Sequence, residues 1–127
     1  MREVIQVNIG GCGNNIGQDL WKLLGQEHGV TSNGSAEGTD EQMENIHVYY
    51  NETDKNRYVP RSIFADLDPR GIDSVIMGDL GQLFNMDNYL SGVTGTNSNW
   101  GTGHYTEGPC IIGNCSGIPV IRLKLWI

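Results

Sequence analysis

The stretch Glu3-Val4-Ile5-Gln6-Val7-Asn8-Ile9-Gly10-Gly11-Cys12-Gly13-Asn14 decides how this chain folds. Residues 3 to 9 combine β-branched side chains with partial alternation, which predicts a buried strand. Gly10, Gly11 and Gly13 then make a turn, and from Asn14 the period changes. Ile16, Leu20, Leu23 and Leu24 recur at helical spacing, Trp21 flanks the same face, and Gly29 supplies a stop. A helix that begins behind such a turn offers unpaired backbone N–H groups and the positive end of its dipole, which suits a phosphate. Many strand-to-helix turns carry glycines only for packing, so the pattern by itself leaves both readings open. The dinucleotide fingerprint is not met, because Ile16 stands where a third small residue is needed, and no Walker A pattern occurs.

Working outward, residues 30 to 45 are polar and glycine-bearing without sustained periodicity and read as a long surface loop. Residues 46 to 50 read as a short strand or extended segment, and Tyr58 to Asp66 as the next strand, with Ile63-Phe64-Ala65 as its apolar centre. Asp68-Pro69-Arg70-Gly71 is turn chemistry, and Asp73 is the expected N-cap of a short helix over 74 to 77. Residues 81 to 90 read as irregular and 92 to 103 as a second glycine and asparagine loop. His104 to Gly108 opens a helix that Pro109, Gly113, Gly117 and Pro119 are expected to break, and Val120 to Ile127 alternates like a strand.

With 127 residues, one domain is expected. The net charge of -7 and the lack of a Lys/Arg cluster exclude a non-specific grip on nucleic acid or on an anionic membrane. An acidic chain can still hold a nucleoside triphosphate, since main-chain amides and a metal ion neutralise phosphates. The N-terminus lacks a signal-peptide run, and no stretch reaches the roughly 20 apolar residues of a membrane span, so the expected address is the cytoplasm. Cys12, Cys110 and Cys115 are then reduced thiols. His28, His47 and His104 lack metal-ligand spacing, and Cys110 with Cys115 lacks a second ligand pair for zinc.

A set of ordered motifs sharpens this reading: Met1-Arg2-Glu3, Cys12-Gly13-Asn14 with Ile16-Gly17, Glu27-His28-Gly29, Val48-Tyr49-Tyr50-Asn51-Glu52, Tyr58-Val59-Pro60-Arg61, Asp66-Leu67 with Pro69, Asp73-Ser74-Val75, Asn99-Trp100 and Gly103-His104-Tyr105-Thr106-Glu107-Gly108. In order and spacing these resemble the N-terminal part of a tubulin, closer to the β subunit than to the α. The resemblance runs through residue 108. Residues 109 to 127 are set apart as a divergent tail.

The resemblance implies an α/β fold, the opening of a Rossmann-like nucleotide-binding domain with a parallel sheet and flanking helices. It implies GTP as ligand with Mg2+ beside it. Gly10, Gly11, Cys12 and Gly13 would lie under the nucleotide. Gly95, Thr96, Asn97, Ser98 and Asn99 would sense the γ-phosphate, and Asp68, with Asp66 close by, would hold the magnesium through water. Carboxylate oxygen suits a hard cation, and glycine and asparagine loops supply N–H donors. Against the β-tubulin pattern, Gly11 and Asn15 each replace a glutamine, Asp68 replaces a glutamate, and Thr96-Asn97-Ser98 replaces alanine, glycine and asparagine. Weaker nucleotide binding follows.

By resemblance the partners are an α-tubulin-like subunit, in a heterodimer, and the microtubule lattice, with no nucleic acid and no membrane. Catalytic residues are not expected in this chain: in the family the activating acid acts on the neighbouring subunit's nucleotide and lies beyond residue 108, with the later phosphate, ribose and base loops. Two function readings follow. One is a β-tubulin-like GTP-binding constituent of microtubules in truncated or divergent form. The other is a non-polymerising fragment that serves as an interaction module for tubulin or its folding cofactors.

Overall fold

The computed structural model describes residues 2–53 and 56–115. Strand β1, Gln6–Ile9, runs directly into helix α1, Gly10–His28, which ends on Gly29 in the left-handed conformation (φ 63°). Helix α2, Asp40–Met43, follows, then a 3-10 turn over Ile46–Val48 and an antiparallel pair, β2 (Tyr50–Thr53) with β3 (Arg57–Pro60). Strand β4, Ser62–Asp66, leads to α3, Pro69–Ile76, and β5, Tyr89–Ser91, follows a second 3-10 turn over Met86–Asn88. The described chain ends in one helical run: α4, Trp100–Thr102, a π-helical segment, Gly103–Glu107, and α5, Gly108–Cys115.

Strands β1, β4 and β5 form a three-stranded sheet in that order, all parallel, with Asn8 opposite Phe64 and Phe64 opposite Tyr89. The expected α/β class, a parallel sheet with flanking helices and part of a Rossmann-like domain, is what the chain adopts. Side chains alternate between the faces of a sheet. Asn8, Phe64 and Tyr89 therefore share one face, while Val7, Ile9, Ile63, Ala65 and Leu90 share the other.

The first face carries the core. Trp21 of α1, Phe64 of β4, Ile72 and Val75 of α3, Leu83, Phe84 and Tyr50 are buried together. Trp21 meets Tyr50 edge-on at 5.4 Å between ring centres, and Phe64 meets Phe84 at 4.8 Å. Such pairs add about 0.5–1.5 kcal/mol each beyond their buried area. Buried Asn8 ties β1 to β4 by donating from Nδ2 to Ser62 Oγ (2.9 Å) and to the Ile63 carbonyl (3.2 Å).

Several expectations are corrected. Helix α1 does not bury Ile16, Leu20 and Leu23, which are exposed; it buries Asn14, Gly17, Trp21 and Gly25. The cause is close approach: a Cβ on Gly17 would sit 2.4 Å from Asn8 Oδ1, so small residues set the contact face and the large aliphatic ones turn outward. Strand β1 is correspondingly not buried on both faces, since Val7 is 55% and Ile9 72% exposed. The segment read as one strand over 58 to 66 is two, split at Arg61, so that β3 pairs with β2 and β4 joins the parallel sheet.

The 30 to 45 loop contains α2, closed by a capping box between Thr39 and Gln42. The irregular 81 to 90 stretch contains β5, and the extended reading of 46 to 50 gives way to a 3-10 turn before β2 starts at Tyr50. Pro109 does not break the last helix, which continues to Cys115. In the π turn just before it, the Gly108 amide donates to the Gly103 carbonyl rather than in the α-helical register, and proline is tolerated in the first turn of a helical element. The strand expected over 120 to 127 lies outside the described residues.

Candidate functional site

Parallel α/β sheets place ligand crevices at the carboxyl ends of their strands. Here those ends are Ile9-Gly10, Asp66-Leu67 and the loop after Ser91. They enclose a cavity of about 750 Å³ on the face away from α1 and α3, floored by Val7, Ile63, Ala65 and Leu90 and walled by Ile111 and Ile112 of α5. That volume falls in the range of small-molecule sites, on the order of 300–1,000 Å³.

Of the residues named from sequence, Gly10, Asp66, Asp68, Gly95, Thr96, Asn97 and Ser98 come together around this cavity. Gly11, Cys12, Gly13 and Asn99 are not among its walls. Gly11 through Gly13 form the first turn of α1, with Cys12 exposed and open space beside Gly11. Asn99 instead caps the last helical run, its Oδ1 accepting from the Thr102 amide at 3.3 Å.

The first turn of α1 has no side-chain cap, because its N-cap residue is Ile9. Its leading amides have no acceptor inside the helix and keep their capacity for an external anion. Gly10 enters that turn at φ 72°, a conformation costly for a residue with a Cβ. The opposite wall is similarly specialised: Gly95, Asn97 and Ser98 all have positive φ, of 69°, 48° and 62°. These left-handed positions make a tight turn at the cavity wall, a kind of loop whose main-chain amides can bind anions. Non-glycine residues held there carry strain of the kind that concentrates at ligand sites.

The carboxylates are more committed than the sequence suggests. Asp68 caps α3, Oδ1 accepting from the Arg70 amide at 3.0 Å, so the turn over 68 to 71 is a helix start and Asp73 is not the N-cap. The Arg70 guanidinium also grips Asp68, with Nε 3.0 Å from Oδ1 and 3.2 Å from Oδ2, and Nη2 2.7 Å from Oδ2. Hydrogen bonds from that side chain, then from the Arg70 amide, hold the Asp68 carboxyl below its ordinary range and raise Arg70 above its own. Asp66 Oδ1 accepts from the Asp68 amide at 3.0 Å. Among the described residues no group of three or more His, Cys, Asp or Glu side chains is arranged to hold a metal ion.

Sequence reasoning missed Arg70, the sole cationic side chain among the described residues lining the cavity. It was noted as part of a turn, and its position two residues after an N-cap aspartate was the available signal. A second cavity of about 780 Å³ lies between the β2–β3 hairpin and the loop after α3, lined by Asn33, Arg57, Gln82 and Met86. It is larger, but no helix N-terminus of α1 or α3 faces it, and its Arg57 donates to the Gln82 carbonyl. The cavity at the strand ends is therefore the candidate site.

The sequence model for the Tubulin/FtsZ family, GTPase domain, matches residues 3–118. The chain belongs to that family. It is 46% identical over 123 residues, 96% of its length, to the tubulin beta chain of the Guillardia theta nucleomorph. It is 50% identical over 109 residues, 85% of its length, to a tubulin beta chain of Schizophyllum commune. The chain spans about a quarter of these curated relatives, 27% of the first and 24% of the second. The tubulin-family match extends past residue 108, into the stretch set apart from sequence as a tail. No helix among the described residues is long and apolar enough to cross a membrane.

Proposed function

We propose that this tubulin-family chain binds GTP, with the phosphates in the cavity at the strand ends, and serves as a β-tubulin-like component of the microtubule cytoskeleton in the cytoplasm. The observation that carries the reading is the convergence on one cavity of an uncapped helix N-terminus at Gly10 and a left-handed loop over Gly95, Asn97 and Ser98. Gly10, Gly11, Cys12 and Gly13 supply amides from one side, and Gly95, Thr96, Asn97, Ser98 and Asn99 form the loop on the other. An α-tubulin-like subunit is the partner this reading names, with the microtubule lattice as the assembly.

The magnesium of the family reading meets an obstacle at its proposed carboxylates. Both oxygens of Asp68 accept from Arg70 and one oxygen of Asp66 accepts from a backbone amide, so a cation bound directly to Asp68 competes with the guanidinium for its oxygens.

A second reading, an interaction module for tubulin or its folding cofactors, is favoured by the exposed apolar side chains Val7 and Ile9 on β1 and Ile16 and Leu23 on α1. Thermal melts with and without GTP test the first reading: ligand at about 100 times its Kd stabilises by about 2.7 kcal/mol. A cooperative transition raised by GTP and unmoved by ATP is expected, whereas a melt insensitive to GTP contradicts nucleotide binding. Light scattering with αβ-tubulin separates the readings, since a lattice component co-assembles in proportion and an interaction module binds without entering the polymer.

A further inference from the structure

We infer that Arg70 supplies the positive charge that meets the nucleotide's phosphates, so that this chain holds a triphosphate without requiring a divalent metal. The inference rests on the reading of the strand-end cavity as a nucleotide site and adds what neutralises the ligand there. An acidic rim of Asp66 and Asp68 repels a polyanion unless a cation intervenes, and Arg70 is the one cationic side chain among the described residues around the cavity. It stands on the first turn of α3, whose start is fixed by Asp68 at the N-cap and Pro69 after it, so its Cα is held at the cavity rim.

The side chain itself lies in solvent. It is 87% exposed, and Asp68 beside it is 40% exposed. Ion pairs so exposed to water are weak and further screened by salt, so transfer of the guanidinium from carboxylate to phosphate loses little. The planar fork that now matches Asp68 with Nε and Nη2 is the same fork that matches two phosphate oxygens. Nη1 has no partner among the described residues and can engage a phosphate while the Asp68 contact persists. A divalent ion at Asp68 competes with the guanidinium and the Arg70 amide for the same two oxygens and meets the fixed positive charge of Arg70 beside them. The charge a metal would bring to the phosphates is thus already present on the Arg70 side chain.

The experiment is a GTP titration by calorimetry on the full chain, run once with excess EDTA and once with excess magnesium. Three variants, Arg70→Ala, Arg70→Lys and Asp68→Asn, are titrated alongside, with circular dichroism melts to confirm folding. The wild-type affinity in EDTA is expected to stay within about threefold of that in magnesium, while Arg70→Ala weakens EDTA binding about tenfold or more. Arg70→Lys restores part of that loss because it keeps charge without the fork. Asp68→Asn keeps the helix cap and releases Arg70, so metal-free binding holds or tightens. Binding that needs magnesium in the wild type, is untouched by Arg70→Ala and collapses in Asp68→Asn overturns the inference and leaves the nucleotide site standing. Absence of GTP binding under both conditions in a folded wild-type chain overturns both together.

Discussion

The two faces of the parallel sheet differ more than any other pair of regions in this molecule. One is sealed by α1 and α3 around Trp21, Phe64 and Phe84, with side chains interlocked and Tyr50 fully buried at its edge. The other is covered in part by α5 and encloses the cavity, leaving Val7 and Ile9 in water. Parallel sheets are ordinarily covered on both faces. The sealed face holds the chain together, and the open face carries the cavity proposed to receive the nucleotide. Stability and ligand chemistry are thus assigned to opposite sides of β4, and substitutions on the two sides have different consequences.

The largest expected effect comes from the sealed face. Phe64→Ala removes a ring that packs on Phe84 and Tyr89, and it is expected to cost about 3–5 kcal/mol in urea or thermal unfolding. A change below about 1 kcal/mol there contradicts the division. Next is Gly92→Ala, at the hinge between the faces. A Cβ at buried Gly92 lies 2.3 Å from the Leu67 carbonyl oxygen, and the Gly92 amide donates to the Asp66 carbonyl at 2.9 Å. Loss of about 1–3 kcal/mol is expected, together with weakened GTP binding, because the loop over 94 to 99 follows it directly.

Tyr50→Phe sharpens the picture with the opposite sign. The buried hydroxyl has no hydrogen-bond partner among the described residues, and burial pushes its ionisation up, so removing it is expected to raise stability by about 1 kcal/mol. On the open face, Val7→Thr keeps a β-branched shape on an exposed position and is expected to change stability by less than about 0.5 kcal/mol. A much greater loss would show that the open face is packed in solution.

The smallest effect is the pH dependence of Asp68. Its folded pKa is depressed, chiefly by hydrogen bonds from the Arg70 side chain, so its contribution is present above the ordinary carboxylate range and is lost as pH falls through the folded value. The melting-point difference between wild type and Asp68→Asn therefore narrows on acidification below that range and is constant above it.

The strand, glycine turn and helix at residues 3 to 29 were legible because period and turn chemistry change together at Gly10. The face of α1 was not legible. Its contact surface is made by Asn14, Gly17 and Gly25, which carry no hydrophobic signal and matter only through how closely they let Asn8 and Tyr50 approach. The break at Arg61 was hidden within a run of strand-forming residues, since Tyr58-Val59-Pro60 and Ser62-Ile63-Phe64 differ in partner and not in composition.

At the site, Gly10, Asp66, Asp68 and Gly95 to Ser98 were named by family resemblance and line the cavity, whereas Gly11 to Gly13 and Asn99 do not, and Arg70 and its grip on Asp68 were not legible. Spacing shows that Asp68 and Arg70 are neighbours; coordinates are needed to show that the guanidinium occupies both carboxylate oxygens.

An amide NMR titration with GTP tests most directly whether the open face is the nucleotide face. The largest shifts are predicted at Gly10 to Gly13 and at Gly95 to Asn99, with those of Asn33, Arg57 and Gln82 around the second cavity unmoved. Shifts confined to the second cavity, or none at saturating GTP, would contradict it.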